Sequence, residues 1–90
     1  MEAWYKLYNE HCTVAKNFYI ACTKINNTYN EPHNNILAYQ EIKLYYQQLL
    51  SLDKAMSQIE NNDKECKPFS CIRQEMFDSI TPLANAYIIC

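Results

Sequence analysis

The chain of 90 residues contains no glycine. Phosphate-cradling loops, dinucleotide-binding turns and nucleophile elbows all place glycine where φ is positive or where a ligand lies against the backbone. None of them is expected. Asn-Gly hairpin turns are missing as well, which argues against β structure. Helix ends must rely on Asn, Pro or fraying in place of a glycine cap. Long apolar runs are also absent, so no membrane-spanning helix is expected. The first residues lack the basic region and apolar block of a secretion signal, although a mature secreted fragment given a new Met1 would look the same.

Basic charge is scarce and scattered. Eight Lys and Arg stand against ten Asp and Glu, a net charge of −2. Lys6, Lys16 and Lys24 are spread out. Binding a phosphate backbone needs clustered cations that release counterions, so nucleic acid is not an expected partner. Histidine is limited to His11 and His33. General acid-base work needs a poised base and an oriented nucleophile. His11 falls in an apolar stripe and reads as a core-edge residue, His33 falls in a connection, and Ser51, Ser57, Ser70 and Ser79 stand in no catalytic setting. The chain is not expected to be an enzyme, and no cofactor is implied.

What the chain does have is helical period. Trp4, Leu7, Tyr8, His11, Val14, Ala15, Phe18, Ala21, Cys22, Ile25 and Tyr29 fall in one stripe, opposite Lys6, Asn9, Glu10, Thr13, Lys16, Asn17 and Lys24. This predicts a first helix over residues 3–29, about 40 Å long at 1.5 Å per residue. The run from Asn26 to Asn35 holds Pro32 and several Asn, which tolerate left-handed turns, and reads as a connection capped by Asn34 or Asn35. A second helix is predicted over 35–60, with Ala38, Ile42, Tyr45, Leu49, Leu52, Met56 and Ile59 at alternating four- and three-residue steps. Two matched amphipathic helices joined by a short loop form an antiparallel hairpin.

The polar stretch Asn61 to Glu65 predicts a turn. A third helix over 68–90 starts at Lys67-Pro68 or at Ser70 and carries Phe69, Ile72, Met76 and Ile80, then Leu83, Tyr87 and Cys90. Pro82 interrupts it, because a mid-helix Pro removes a hydrogen bond and clashes with the preceding turn at a cost of about 3 kcal/mol. A kink or restart is expected near Ser79, with Ser79 or Thr81 as cap. The expected fold is all-α: one domain over 1–90, an antiparallel three-helix bundle whose third member is broken near Pro82. The apolar end Ala86 to Cys90 is unusual for a free terminus, and fits either docking onto the bundle or excision from a longer protein.

Five cysteines are many for this length. Cys66 and Cys71 are spaced to close a small disulfide loop at the start of the third helix, as a secreted domain would use. Reduced thiols are the alternative, with Cys22 as a small buried hydrophobe. A zinc site joining Cys66 and Cys71 to His11 or Cys12 requires a loose C-x4-C spacing and neighbouring side chains that diverge on the helix, so no metal is expected. Asn26-Asn27-Thr28 matches a glycosylation acceptor, meaningful only after secretion.

Several apolar residues lie off the stripes. Ile20 and Tyr5 point away from the first, Tyr19 widens its edge, Leu37 and Leu44 lie far from the centre of the second, and Tyr39 and Tyr46 extend its other side. Neighbouring helices need wide stripes. The alternative is a second apolar surface, since aromatic and long aliphatic residues on a polar face are typical interface anchors. The expectation is a non-catalytic, intracellular (cytoplasmic or nuclear) interaction or assembly module, binding another protein or a second copy of itself through Tyr5, Tyr19, Ile20, Leu37, Tyr39, Leu44 and Tyr46. A secreted, disulfide-stapled helical ligand is the other reading, and a metal-stabilised regulator the third.

Overall fold

The computed structural model describes the backbone of residues 2–27 and 32–89 and the side chains of residues 2–25 and 36–87. Tyr29, the Thr28 end of the acceptor pattern, the His33 side chain and Cys90 lie outside these. The described residues are helical with no strand: α1 (Glu2–Asn27), α2 (Pro32–Asn62), a 3-10 turn (Lys67–Phe69), α3 (Ser70–Ala84) and a terminal π-wound segment (Asn85–Ile89). Together they form an all-α three-helix bundle measuring 51 × 20 × 15 Å.

Contacts between helices fix their directions. Trp4 at the start of α1 donates to Glu60 at the end of α2, Phe18 packs on Tyr46 midway, and Lys24 meets Glu41 near the other end. The hairpin is therefore antiparallel. On α3, Arg73 bonds Glu60, Phe77 packs on Tyr46 and Tyr87 lies against Tyr39, so α3 runs antiparallel to α2. It runs parallel to α1, as the Trp4–Phe69 and Tyr19–Ser79 contacts show.

Helix ends differ from expectation in informative ways. α2 begins at Pro32 rather than Asn35, so Asn34 and Asn35 stand inside the helix instead of capping it, and the backbone of His33 is helical. Proline suits a first turn because its missing N–H would have no partner there. The second connection needs no left-handed residue, and no described residue has positive φ. Its work is done by Asp63, whose Oδ1 accepts the Glu65 N–H at 3.0 Å while Oδ2 accepts the Cys66 thiol at 3.6 Å. The two expected starts of the third helix are used in succession, a 3-10 turn at Lys67 and α-winding from Ser70.

Pro82 sits inside α3, and the interruption takes the form of a change of winding at Asn85. Asn85 N–H is shared between the carbonyls of Pro82 and Thr81. Ser79 and Thr81 cap nothing. Their hydroxyls donate backwards, to Met76 O at 2.7 Å and Phe77 O at 3.0 Å, a bonding mode that bends helices without ending them.

The core has two apolar compartments. The larger holds Phe18, Ala21, Cys22, Ile25, Ala38, Ile42, Leu49, Ile80 and Ala84. The smaller, at the Trp4 end, holds Trp4, Met56 and Cys66, with Leu7, Tyr8, Phe69 and Met76 packed on them. The stripes of α1 and α2 match the expectation closely. Along α3 and its flanking turns the expected Phe69, Met76, Ile80, Leu83 and Tyr87 pack on the core together with Phe77 and Ala84, while Ile72, expected in the same stripe, is exposed.

Candidate functional site

Alongside the smaller compartment, from Asp53 at its inner edge to Glu60 at the Trp4 end, runs a polar cluster built by all three helices. Each member is placed by helical register. His11 stands seven residues from both Trp4 and Phe18 on the buried line of α1, and is 1% exposed. Asp53 follows Leu49 by one turn on α2, and Glu60, 3% exposed, follows Met56 in the same way. Arg73 comes one turn after Phe69 on α3. Its Nη1 lies 2.8 Å from Asp53 Oδ1, and its Nε donates to Glu60 Oε1 and Oε2 at 3.0 and 2.9 Å. Trp4 Nε1 completes the cluster with a 2.9 Å bond to Glu60 Oε2.

These contacts shape protonation. Burial pushes the His11 imidazole below its ordinary range, and the nearby Asp53 charge offsets this only in part. His11 Nε2 is buried with no hydrogen-bond partner among the described residues. Burial would lower the Arg73 pKa, but its bonds and charge pairing with Asp53 and Glu60 outweigh it and raise the pKa. Burial raises the Cys22 thiol, keeping it unreactive because the thiolate is the nucleophile. Sequence reasoning passed over Asp53, Glu60 and Arg73. The available signal was that Asp53 and Glu60 continue the apolar register of α2 one turn after Leu49 and Met56.

The seven residues proposed as partner anchors fall into two groups. Tyr5, Tyr19, Tyr39 and Tyr46 flank the seat of α3 and are engaged by the chain itself. The Tyr5 ring lies 5.7 Å from that of Phe69, and Tyr19 Oη donates to Ser79 O at 3.2 Å. Tyr39 packs on Tyr87, while Tyr46, half-buried, packs on Phe18 and Phe77. These rings widen the stripes because a third helix must be seated there.

Leu37, Leu44 and Ile20 belong to the other group. Leu37 and Leu44 are 50% and 54% exposed. They are seven residues apart and so lie within about 20° of one another round α2. Each stands two residues from a tyrosine on the α3 side, and so about 160° away from it. Leu44 lines a shallow open groove of about 370 Å³ between α1 and α2, with Glu10 and Val14 on one wall and Gln48 and Leu52 on the other. Ile20 is exposed on the outer side of α1, apart from that groove. Ile36, Leu50 and Ile72 are further exposed apolar residues.

Cys66 is buried in the smaller compartment and Cys71 is exposed; both are free thiols, as are Cys12 and Cys22. No group of three or more His, Cys, Asp or Glu among the described residues is placed to hold a metal ion, and no described helix is long and apolar enough to cross a membrane. Compared with family models, curated proteins and solved structures, the chain matches none.

Proposed function

We propose that the chain is a non-catalytic helical interaction module that takes another protein, or a second copy of itself, along the face of the hairpin turned away from α3. The observation that carries this reading is the pair Leu37 and Leu44, half exposed in line on α2, of which Leu44 lines the open groove bounded by Glu10 and Val14 and Leu37 lies about two turns beyond it. A three-helix bundle seats α3 on one side of its hairpin and leaves the other side free for an amphipathic helix. Affinity would come from removing these leucines from water, at about 25 cal/mol per Å² before the costs of association are subtracted. Cytoplasmic or nuclear residence goes with this reading.

The test is a double variant, Leu37→Glu with Leu44→Glu, compared with the native chain by sedimentation and by capture on an immobilised chain. The native protein should self-associate or retain a discrete partner. The variant should lose that association while its melting temperature stays within a few degrees, since both residues are already half in water. Equal behaviour of the two proteins defeats the reading.

A further inference from the structure

The polar cluster is largely buried, and within it the Nε2 of His11 has no hydrogen-bond partner among the described residues. Arg73 ties α3 to α2 through Asp53 and Glu60, and Glu60 ties both to Trp4 on α1. The smaller compartment beside this cluster has only three buried residues, Trp4, Met56 and Cys66, with partly exposed side chains such as Leu7, Tyr8, Ile59, Phe69 and Met76 packed round them. The larger compartment, with Phe18, Ile42, Leu49 and Ile80 fully buried, joins all three helices further along the hairpin.

We propose that His11, with the Asp53–Arg73–Glu60 cluster, is an acid-sensitive latch that keeps the Trp4 end of the bundle shut and lets it open when the imidazole takes up a proton. A second N–H on a ring whose Nε2 has no acceptor within reach leaves a buried charge without a hydrogen bond, which is costly. The charged groups facing this end are Asp53, which acts on His11 directly, and Arg73 from α3, with Glu60 about two turns further along α2 beside Trp4. Both carboxylates are committed to Arg73. Asp53, which holds Arg73 through Oδ1, would be drawn towards the new cation on α1 as well, and this competition loosens the tie between α2 and α3. Opening the end to water solvates the imidazolium and frees Arg73.

The sign follows from linkage. The folded-state pKa of His11 lies below its ordinary value of 6.5 because burial outweighs Asp53. The open state therefore binds more protons as pH falls below 6.5, and closure is fully favoured only above it. Between 6.5 and the folded-state pKa, the ratio of closed to open chains falls by up to tenfold per pH unit.

Trp4 is the only tryptophan and sits in the compartment that opens, so its emission reports the latch while helicity at 222 nm reports the hairpin. On titration from about pH 7.5 to about pH 5, the native chain should show a reversible red shift of Trp4 emission with its midpoint below 6.5, with most helicity retained. His11→Leu should abolish the shift in that window. An unchanged shift in His11→Leu, no shift in the native chain, or loss of helicity together with the Trp4 signal would each overturn the latch. Should His11→Leu fail to fold, the ring resonance of His11 in the native chain, assigned against His33→Asn, decides the matter. Titration below 6.5 supports the latch and titration at or above 6.5 overturns it.

Discussion

Glu60 is held almost wholly out of water, and a carboxylate in that position keeps its charge only if donors replace the lost hydration. Trp4 Nε1 and Arg73 Nε are those donors. Removing one partner of a buried pair leaves the other uncompensated, which costs about 3–5 kcal/mol. Arg73→Met should therefore lower unfolding stability by about 3 kcal/mol, at the low end because Arg73 and Asp53 keep some solvent. Urea denaturation of the two proteins measures it, and a loss below about 1 kcal/mol, the usual value of an exposed pair, would show the cluster to be solvated. Much of this was within reach of the sequence. A tryptophan on a buried stripe needs an acceptor for its indole N–H, and an acidic residue in the apolar register of a facing helix is the natural candidate. What the sequence did not carry was the third helix's polar contribution: Phe69, Met76, Ile80, Leu83 and Tyr87 of the expected α3 stripe do face the core, but Arg73 takes the inward place beside Ile72, which is exposed.

Among the elements, α1 and α2 were legible because their burial obeys local period. Trp4, Phe18, Ala21, Cys22, Ile42, Leu49 and Met56 are all on the expected lines and all buried. Their ends were less legible. Pro32 opens α2 where Asn35 was expected, and the expected polar turn after α2 is held by Asp63, whose carboxylate accepts the Glu65 N–H and the Cys66 thiol. Pro82 is the remaining irregularity. It removes the N–H that would bond the carbonyl of Asp78, and the winding relaxes at Asn85 into π, a change associated with bends and local strain. Pro82→Ala restores the donor. It should raise helicity at 222 nm and stabilise the fold by about 1–2 kcal/mol, a net of the relieved helix penalty against the greater freedom of the unfolded chain. Unaltered helicity with lower stability would mean that the π winding is set by packing of Tyr87 against Tyr39 instead.

At the scale of the whole molecule, the rod is 51 Å long and only 15 Å thick across its narrowest dimension. With α3 seated on one side of the hairpin, an apolar stripe wide enough for neighbours on both edges lacks a third helix on the groove side. Local period shows that Leu37, Leu44, Tyr39 and Tyr46 all lie off the centre of the stripe. It does not say which edge the third helix takes, because that choice depends on contacts between residues far apart in sequence, such as Tyr46 with Phe77. The tyrosines each touch the third-helix side of the chain, though Tyr5, Tyr19 and Tyr39 keep an exposed edge, while Leu44 lines the groove and Leu37 is exposed about two turns from it. Hydroxyl-radical footprinting of the dilute, monomeric chain tests this division most directly. Leu37 and Leu44 should be oxidised as readily as exposed leucine, while Phe18, Leu49 and Ile80 stay protected. Protection of Leu37 and Leu44 in the monomer would mean that the chain covers this face itself, and the surface proposed for a partner would not exist.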